Sequence, residues 1–549
     1  MRFKKSVGAA AVRAAALIFA VIFAAGCSEI DYSGYSDSSG YSSGGQSDSS
    51  ESSESAPPAV IVTENTAKEY KINSADFEQV TEAEALTDSE LLTDIEKYGG
   101  DGYIELGAYG SIELTVDAVS SQFYDITVYA CGAGGAVTLT AGGSRLVDSE
   151  NGVYKRIDGD VYGAYYIPQS DVFAEYSVCP VYLEQGENKL TFQTVSGEVF
   201  IDKIKITDGK AVDDSRYTDA QKWISGKDIN DGRQALMDYF KSIYGKKTLT
   251  AQYCTPNTNA EIDVIYRNTG RYPAIRCSDL MYYTEAGSKL APQENNDIQL
   301  SAEWAKQGGI VSYSWYWYSP IGKTTFYAEE CELDTEEIKS DVRDLAVLTD
   351  EELLLLLENE SITDECYAIL HDMDSIASQL LQLKDEGVTV LLRPLPCTQA
   401  KWYWWESDAD TYKWLWQTMH RRFDELHGLS NIIWVCSVTD EQLFPGEDYI
   451  DIIGCDVYNN SNVSNLSAML GTDKLLLSRR MLALTECMFS PDPDIMYRDN
   501  AMWLWTAPWS GKYLINENGE QNGDYVTVNQ LKKIYNHELT VTRDELAIE

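Results

Sequence analysis

The chain has 549 residues, enough for two or three folded units, and carries 87 acidic against 43 basic residues, a formal net charge of −44. That balance repels phosphate backbones, which excludes nucleic acid as a partner and leaves a neutral ligand such as a polysaccharide. With 13 Trp and 36 Tyr there are many flat rings suited to the apolar C–H faces of sugars, although aromatic residues also fill ordinary cores.

Residues 1–27 read as an export signal: Arg2, Lys4 and Lys5 precede the apolar run Ala14–Ala25. The segment ends Ala24-Ala25-Gly26-Cys27, which resembles the lipobox of bacterial lipoproteins and implies lipidation of Cys27. An anchor of that kind places the protein at the bacterial cell surface, held to the outer face of the plasma membrane. Residues 28–58 are rich in Ser, Gly and Asp and nearly free of aliphatic side chains. They bury too little to offset chain entropy, so a flexible tether is expected.

Over 59–209 the pattern becomes short alternating runs with Gly-rich turns: Ser111–Val116, Tyr124–Ala130, Ala136–Thr140, Asn188–Phe192 and Val199–Ile206. Period-2 alternation at this spacing predicts an antiparallel β-sandwich. Glu82-Ala83-Glu84, Gly102-Tyr103-Ile104 and Ile201-Asp202-Lys203-Ile204 resemble carbohydrate-binding modules of families 6 and 35. That resemblance implies a structural Ca²⁺ held by Glu82, Glu84 and Asp202, an ion that prefers carboxylate and carbonyl oxygens. It also implies sugar contacts from Tyr103, Tyr109 or the Tyr162–Tyr166 cluster.

From residue 210 to 549, apolar runs alternate with helix-period segments, the signature of repeated βα units. Eight strands are drawn: Leu249–Cys254, Ala274–Leu280, Ile310–Trp317, Thr389–Leu395, Asn431–Val438, Asp451–Tyr458, Leu482–Glu486 and Ala501–Trp509. Eight closes a (β/α)8 TIM barrel, whose ligands bind at the C-terminal ends of the strands. The acidic, helix-period span Glu329–Ser361 reads as an insertion on one βα loop.

Five stretches then match one family in register. Val388–Trp405, reading VTVLLRPLPCTQAKWYWW, resembles the fourth strand of glycoside hydrolase family 26, the β-mannanases, with its R-P-L-H-E-M-N-G-x-W-[FY]-W-W pattern. Gly309–Pro320 resembles the third strand, Asn431–Ser437 and Tyr449–Tyr458 the fifth and sixth, and Leu484-Thr485-Glu486 the seventh. The resemblance implies that Glu486 is the nucleophile of a retaining glycosidase, oriented by Tyr458. It also implies that Trp315, Trp404, Trp405 and Trp505 line the cleft with Tyr316, and that Arg393 organises the carboxylates beneath. Catalysis in this family implies no cofactor, and β-mannan or a related β-glycan is the implied ligand of a monomeric protein.

Three positions depart from the pattern. Cys397 stands where the family has its acid/base Glu, Pro396 where it has His, and Tyr316 replaces the usual His of the third strand. Retaining hydrolysis needs two carboxyls about 5–5.5 Å apart, and loss of general acid catalysis typically costs about 10²–10⁴-fold. Two functions from different classes follow. One is surface recognition of β-mannan-type polysaccharide with hydrolysis impaired. The alternative is an active retaining endo-β-1,4-mannanase, or another β-glycanase, with a non-standard proton donor; Glu406 and Asp408 are the neighbouring carboxyls. The four His residues lie outside strand ends and suggest no triad or zinc site, and Cys131–Cys179 and Cys331–Cys366 are candidate disulfides.

Overall fold

The computed structural model describes residues 78–548, apart from breaks at 87–90, 94, 96–97, 108–109, 142–159, 178–179, 211, 292–294, 398–401, 439, 459–463 and 477–478. The expected export signal with Cys27, the tether, Tyr109 and Cys179 lie outside the described residues, as do the side chains of Glu84 and Tyr162–Tyr166.

Eight strands form the first unit: β1 (Glu78–Glu82), β2 (Ile104–Leu106), β3 (Ser111–Ala118), β4 (Gln122–Ala141), β5 (Asp160–Ile167), β6 (Ser170–Ser177), β7 (Val181–Leu183) and β8 (Gly186–Asp208). All pairings are antiparallel, and β4 and β8 run side by side for most of their length. The sequence predicts separate short strands here, because Gly132, Gly134, Gly135 and Gly197 read as turns. In the structure they are bulges. The β4–β8 register shifts at Gly132/Gly134, and a Cβ on Gly197 (φ +73°) would lie 2.0 Å from the Gly134 carbonyl oxygen. A bulge bends a strand without ending it. Both halves of β4 therefore contribute to one core, Ile126 and Val128 from the first and Val137 and Leu139 from the second. The result is one hydrogen-bonded antiparallel sheet with its own apolar core.

The second unit is the expected parallel barrel. Its strands are β9 (Thr248–Tyr253), β10 (Ile275–Asp279), β11 (Ile310–Trp315), β12 (Val390–Pro394), β13 (Ile432–Cys436), β14 (Ile452–Val457), β15 (Met481–Cys487) and β16 (Trp505–Pro508). Each pairs with the next in parallel, and β16–β9 and β9–β10 close the circle. Six of the eight are buried at every residue, which is why they read as unbroken apolar runs. A short β17 (Thr540–Val541) adds alongside β9.

Among the surrounding helices are α1 (Asp231–Ile243), α2 (Asp350–Glu358) within the predicted insertion, α3 (Asp364–Asp385), α4 (Ala409–Arg421) and α5 (Leu466–Leu476). Thr363 and Asp408 start α3 and α4 by accepting from Cys366 N and Thr411 N. The two units meet through Phe123 and Tyr182 of the sheet, which join the barrel's apolar cluster. The Arg498 guanidinium lies 4.6 Å from the Tyr182 ring centroid.

Candidate active site

The strand register builds the site. Asp456 on β14 pairs with Glu486 on β15, so the two carboxyls stand side by side at the barrel mouth. Arg393, one residue from the end of β12, reaches both: Nη2 donates to Glu486 Oε2 at 2.5 Å and Nη1 to Asp456 Oδ2 at 2.6 Å. The second Nη2 contact is Tyr253 Oη at 3.1 Å. Tyr458 Oη donates to Glu486 Oε1, and Tyr316 Oη donates to Glu486 Oε2 at 3.0 Å. Thr485 Oγ1 holds the other Asp456 oxygen at 2.7 Å.

One buried guanidinium thus faces two buried carboxyls. The deficit of positive charge falls on Asp456, where burial drives the carboxyl pKa up, Arg393 opposes the rise and Glu486 adds to it. The structure brings Glu486, Arg393, Tyr458 and Tyr316 together as the sequence expects. Asp456, Tyr253 and Trp509 join them without having been foreseen. Trp509 follows β16 directly, with its ring 4.4 Å from Tyr253 and 5.8 Å from Tyr316.

Cys397 faces elsewhere. Its Sγ donates to the Leu395 carbonyl at 3.5 Å, the same oxygen that accepts from Tyr412 Oη of α4 at 3.2 Å. The thiol is therefore turned with Tyr412 into the layer between strand and helix, and burial pushes its pKa well up. Leu395 itself has φ +51°, a left-handed backbone that redirects the chain at the end of β12. The two neighbouring carboxyls are engaged locally. Glu406, with no exposed surface, accepts from Tyr403 N at 3.1 Å. Asp408 caps α4, and its hydrogen bond from Thr411 N, 2.7 Å long, holds its pKa down.

The tryptophans divide by direction. Trp405 stacks on Tyr403 at 4.7 Å on the Tyr316 side. Trp315 stacks on Trp317 at 4.1 Å, and Trp404 Nε1 donates to the Trp317 carbonyl at 2.8 Å, so both are core residues. Trp505 packs against Phe240 of α1 at 6.0 Å, in the helix layer and not in the cleft where the sequence reading puts it. Behind this group, Trp317 Nε1 donates to the buried Asp372 of α3 at 2.7 Å, and burial pushes the Asp372 pKa up to about 7.

A raised carboxyl pKa favours the folded state below the unfolded value near 4 and is lost as pH climbs through 7. This carboxyl should therefore cost the wild type on the order of 2–4 kcal/mol between pH 4 and 8. Asp372→Asn, which keeps an acceptor for Trp317, should remove that loss. Urea melts at several pH values measure it, and an unaltered pH slope refutes it.

In the first unit, Tyr103 packs edge-on against Phe173 at 5.3 Å as a core ring, not a loop contact for sugar. Among the described residues no group of three or more His, Cys, Asp or Glu is gathered to hold a metal ion. Glu82 and Asp202 do converge. Glu82 Oε2 and Asp202 Oδ2 are buried without hydrogen-bond donors, and Lys203 Nζ lies 3.6 and 3.4 Å from them. These two oxygens are only part of the roughly six to eight that Ca²⁺ takes, and the Lys203 ammonium already faces both. Cys331 and Cys366 are free thiols, so that candidate disulfide is not formed.

The family model described as glycosyl hydrolase family 26 matches residues 228–545. A mannan endo-1,4-β-mannosidase of Thermothelomyces thermophilus is 28% identical over 473 residues, 82% of this chain and 86% of that one. Mannan endo-1,4-β-mannosidase B of a Piromyces species is 25% identical over 465 residues, 82% of this chain and 74% of that one. The crystal structure of a ruminal family 26 endo-β-1,4-mannanase aligns with 86% of this chain and 99% of its own at a TM-score of 0.59 and 22% identity. A Podospora anserina GH26-CBM35 β-(1,4)-mannanase aligns over the same shares at a TM-score of 0.55 and 24% identity. At these identities the two likenesses establish the fold.

Proposed function

From the premise that this chain belongs to glycosyl hydrolase family 26, we propose that it is a surface-held receptor for β-mannan-type polysaccharide whose barrel is impaired in hydrolysis. The family's chemistry requires no cofactor, so the question rests on protein groups alone. The observation that carries the proposal is the direction of Cys397. At the acid/base position stands a buried thiol bonded to the Leu395 carbonyl, while Glu406 and Asp408 are committed to main-chain amides. A sugar alkoxide leaves poorly without a proton, whereas Glu486, Arg393 and Tyr458, with Trp509 beside them at the barrel mouth, suit binding. The antiparallel sheet serves as a carbohydrate-binding module, a reading supported by the likeness to the Podospora anserina protein and its CBM35. Glu82, Asp202 and Glu84 would hold its Ca²⁺, which would fix the strand ends. Residues 1–27 would export the chain and Cys27 would anchor it as a monomer at the bacterial cell surface.

The test pairs calorimetric binding of mannohexaose with release of reducing ends from mannan. Saturable binding is expected with turnover below that of a working relative by about 10²–10⁴-fold. Fast cleavage abolished by Glu486→Ala would overturn the proposal. The alternative, an active endo-β-1,4-mannanase, is favoured by one observation, the raised pKa of Asp456 beside the nucleophile. Against it, Asp456 is the strand neighbour of Glu486 and shares its guanidinium, and so lies beside the nucleophile instead of across the scissile bond. Cleavage lost in Asp456→Asn with binding retained would favour the alternative.

A further inference from the structure

Tyr316 does more in this structure than line a cleft. Its Oη lies 3.0 Å from Glu486 Oε2, the oxygen that also accepts from Arg393, so both lone-pair directions of that oxygen are taken. Its ring is held on several sides, with centroids 5.5 Å from Tyr403, 5.8 Å from Trp509, 6.0 Å from Phe326 and 6.5 Å from Trp405. Its main chain is fixed as well, because Tyr316 N donates to Asp279 Oδ1 at 3.3 Å. Beneath it Glu486 is 2% exposed, and Tyr316 is itself 4% exposed.

Two general requirements of glycoside chemistry compete for the same space. The attacking carboxylate oxygen must come within about 3–3.5 Å of the anomeric carbon. In the transition state a sugar hydroxyl tightens its own hydrogen bonds in the site. Tyr316 sets a phenol oxygen 3.0 Å from Glu486, carried on a six-membered ring enclosed by Tyr403, Trp405 and Trp509.

We propose that Tyr316 covers Glu486, standing in for the sugar ring that would otherwise bind against the nucleophile. The barrel then takes its glycan at the positions flanking Glu486, and the central position opens only when Tyr316 turns out of its cage. The inference rests on the reading of Glu486 as the family nucleophile, and it locates a second obstacle to cleavage, independent of the missing proton donor.

A 2-deoxy-2-fluoro-β-mannosyl fluoride tests this, followed by intact-protein mass spectrometry. A Glu486 carboxylate oxygen attacks C1, the C–O ester bond forms, and the C–F bond breaks with its electron pair leaving on fluoride. No acid is needed, so Cys397 has no bearing on the result. Tyr316→Ala should label about 10–100-fold faster than the wild type, the change that accompanies loss of one hydrogen bond to a charged group. Glu486→Gln should abolish labelling, and Tyr316→His is the second variant should Ala unfold the mouth. Tyr316→Phe separates the hydrogen bond from the bulk of the ring: labelling at the Ala rate assigns the cover to the bond, and at the wild-type rate to the ring. Wild type labelled as fast as the Ala and His variants overturns the inference. So does an absence of labelling in folded Ala and His variants. Wild-type labelling at the rate of the Ala and His variants, without mannan cleavage, would remove the cover while leaving the impaired-hydrolysis reading intact, so the two failures are distinguishable.

Discussion

Arg393→Met should destabilise the protein by about 3–5 kcal/mol, the usual cost of deleting one partner of a buried charge cluster. The guanidinium is 2% exposed and is the positive charge between Glu486 and Asp456. Without it, two adjacent carboxyls share a dry floor, and at least one must take up a proton. Arg393→Lys should recover only part of the loss, because an ammonium cannot span two carboxyls and Tyr253 as a planar fork does. Adding Asp456→Asn to Arg393→Met should be far from additive, since the second change removes the charge that the first stranded. Urea midpoints of the wild type, Arg393→Met, Arg393→Lys, Asp456→Asn and the double variant measure this. A loss below about 1 kcal/mol for Arg393→Met would mean that the network carries no net stabilisation.

The second large effect is on turnover. Pro396→His with Cys397→Glu restores the family's residues at the tip of β12. A glutamate is too long and too polar for the space that Cys397 shares with Tyr412, and desolvation would drive it out toward the mouth. The Trp405 indole bonds only the carbonyl of residue 396, at 2.9 Å, so the exchange leaves that contact in place. With Tyr316 still over Glu486 the double variant should stay slow. In a Tyr316→His background the same pair of changes should raise mannan cleavage by about 10²–10⁴-fold, with a bell-shaped pH profile from one acid and one ionised carboxylate. Reducing-end assays across pH decide it. A triple variant that binds mannohexaose yet stays inert would place the loss of chemistry outside these three positions.

Much of the barrel is legible in the sequence because parallel strands buried on both faces leave continuous apolar runs such as Val388–Leu392. The glycines of β4 and β8 mislead for a physical reason. A residue without Cβ serves a bulge as readily as a turn, and only the partner strand decides which. Within the site, Glu486, Arg393 and Tyr458 can be placed because strand ends carry them to one mouth. The direction of each Trp cannot. Trp505 and Trp509 lie four residues apart in one stretch, yet the first packs on Phe240 and the second beside Tyr253, because β16 stops at Pro508. Asp456 sits inside a motif quoted for its neighbour Tyr458, and its pairing with Glu486 emerges only from the sheet register.

On the proposed reading of the sheet as a carbohydrate-binding module, the contact of Phe123, Tyr182 and Arg498 has a consequence for how a long polymer would be gripped. A module on a floppy hinge would meet the chain at any spacing. One braced against its neighbour acts as a fixed caliper. Short oligosaccharides would engage one jaw, and affinity would step upward at the first length able to bridge both, when the second contact becomes intramolecular.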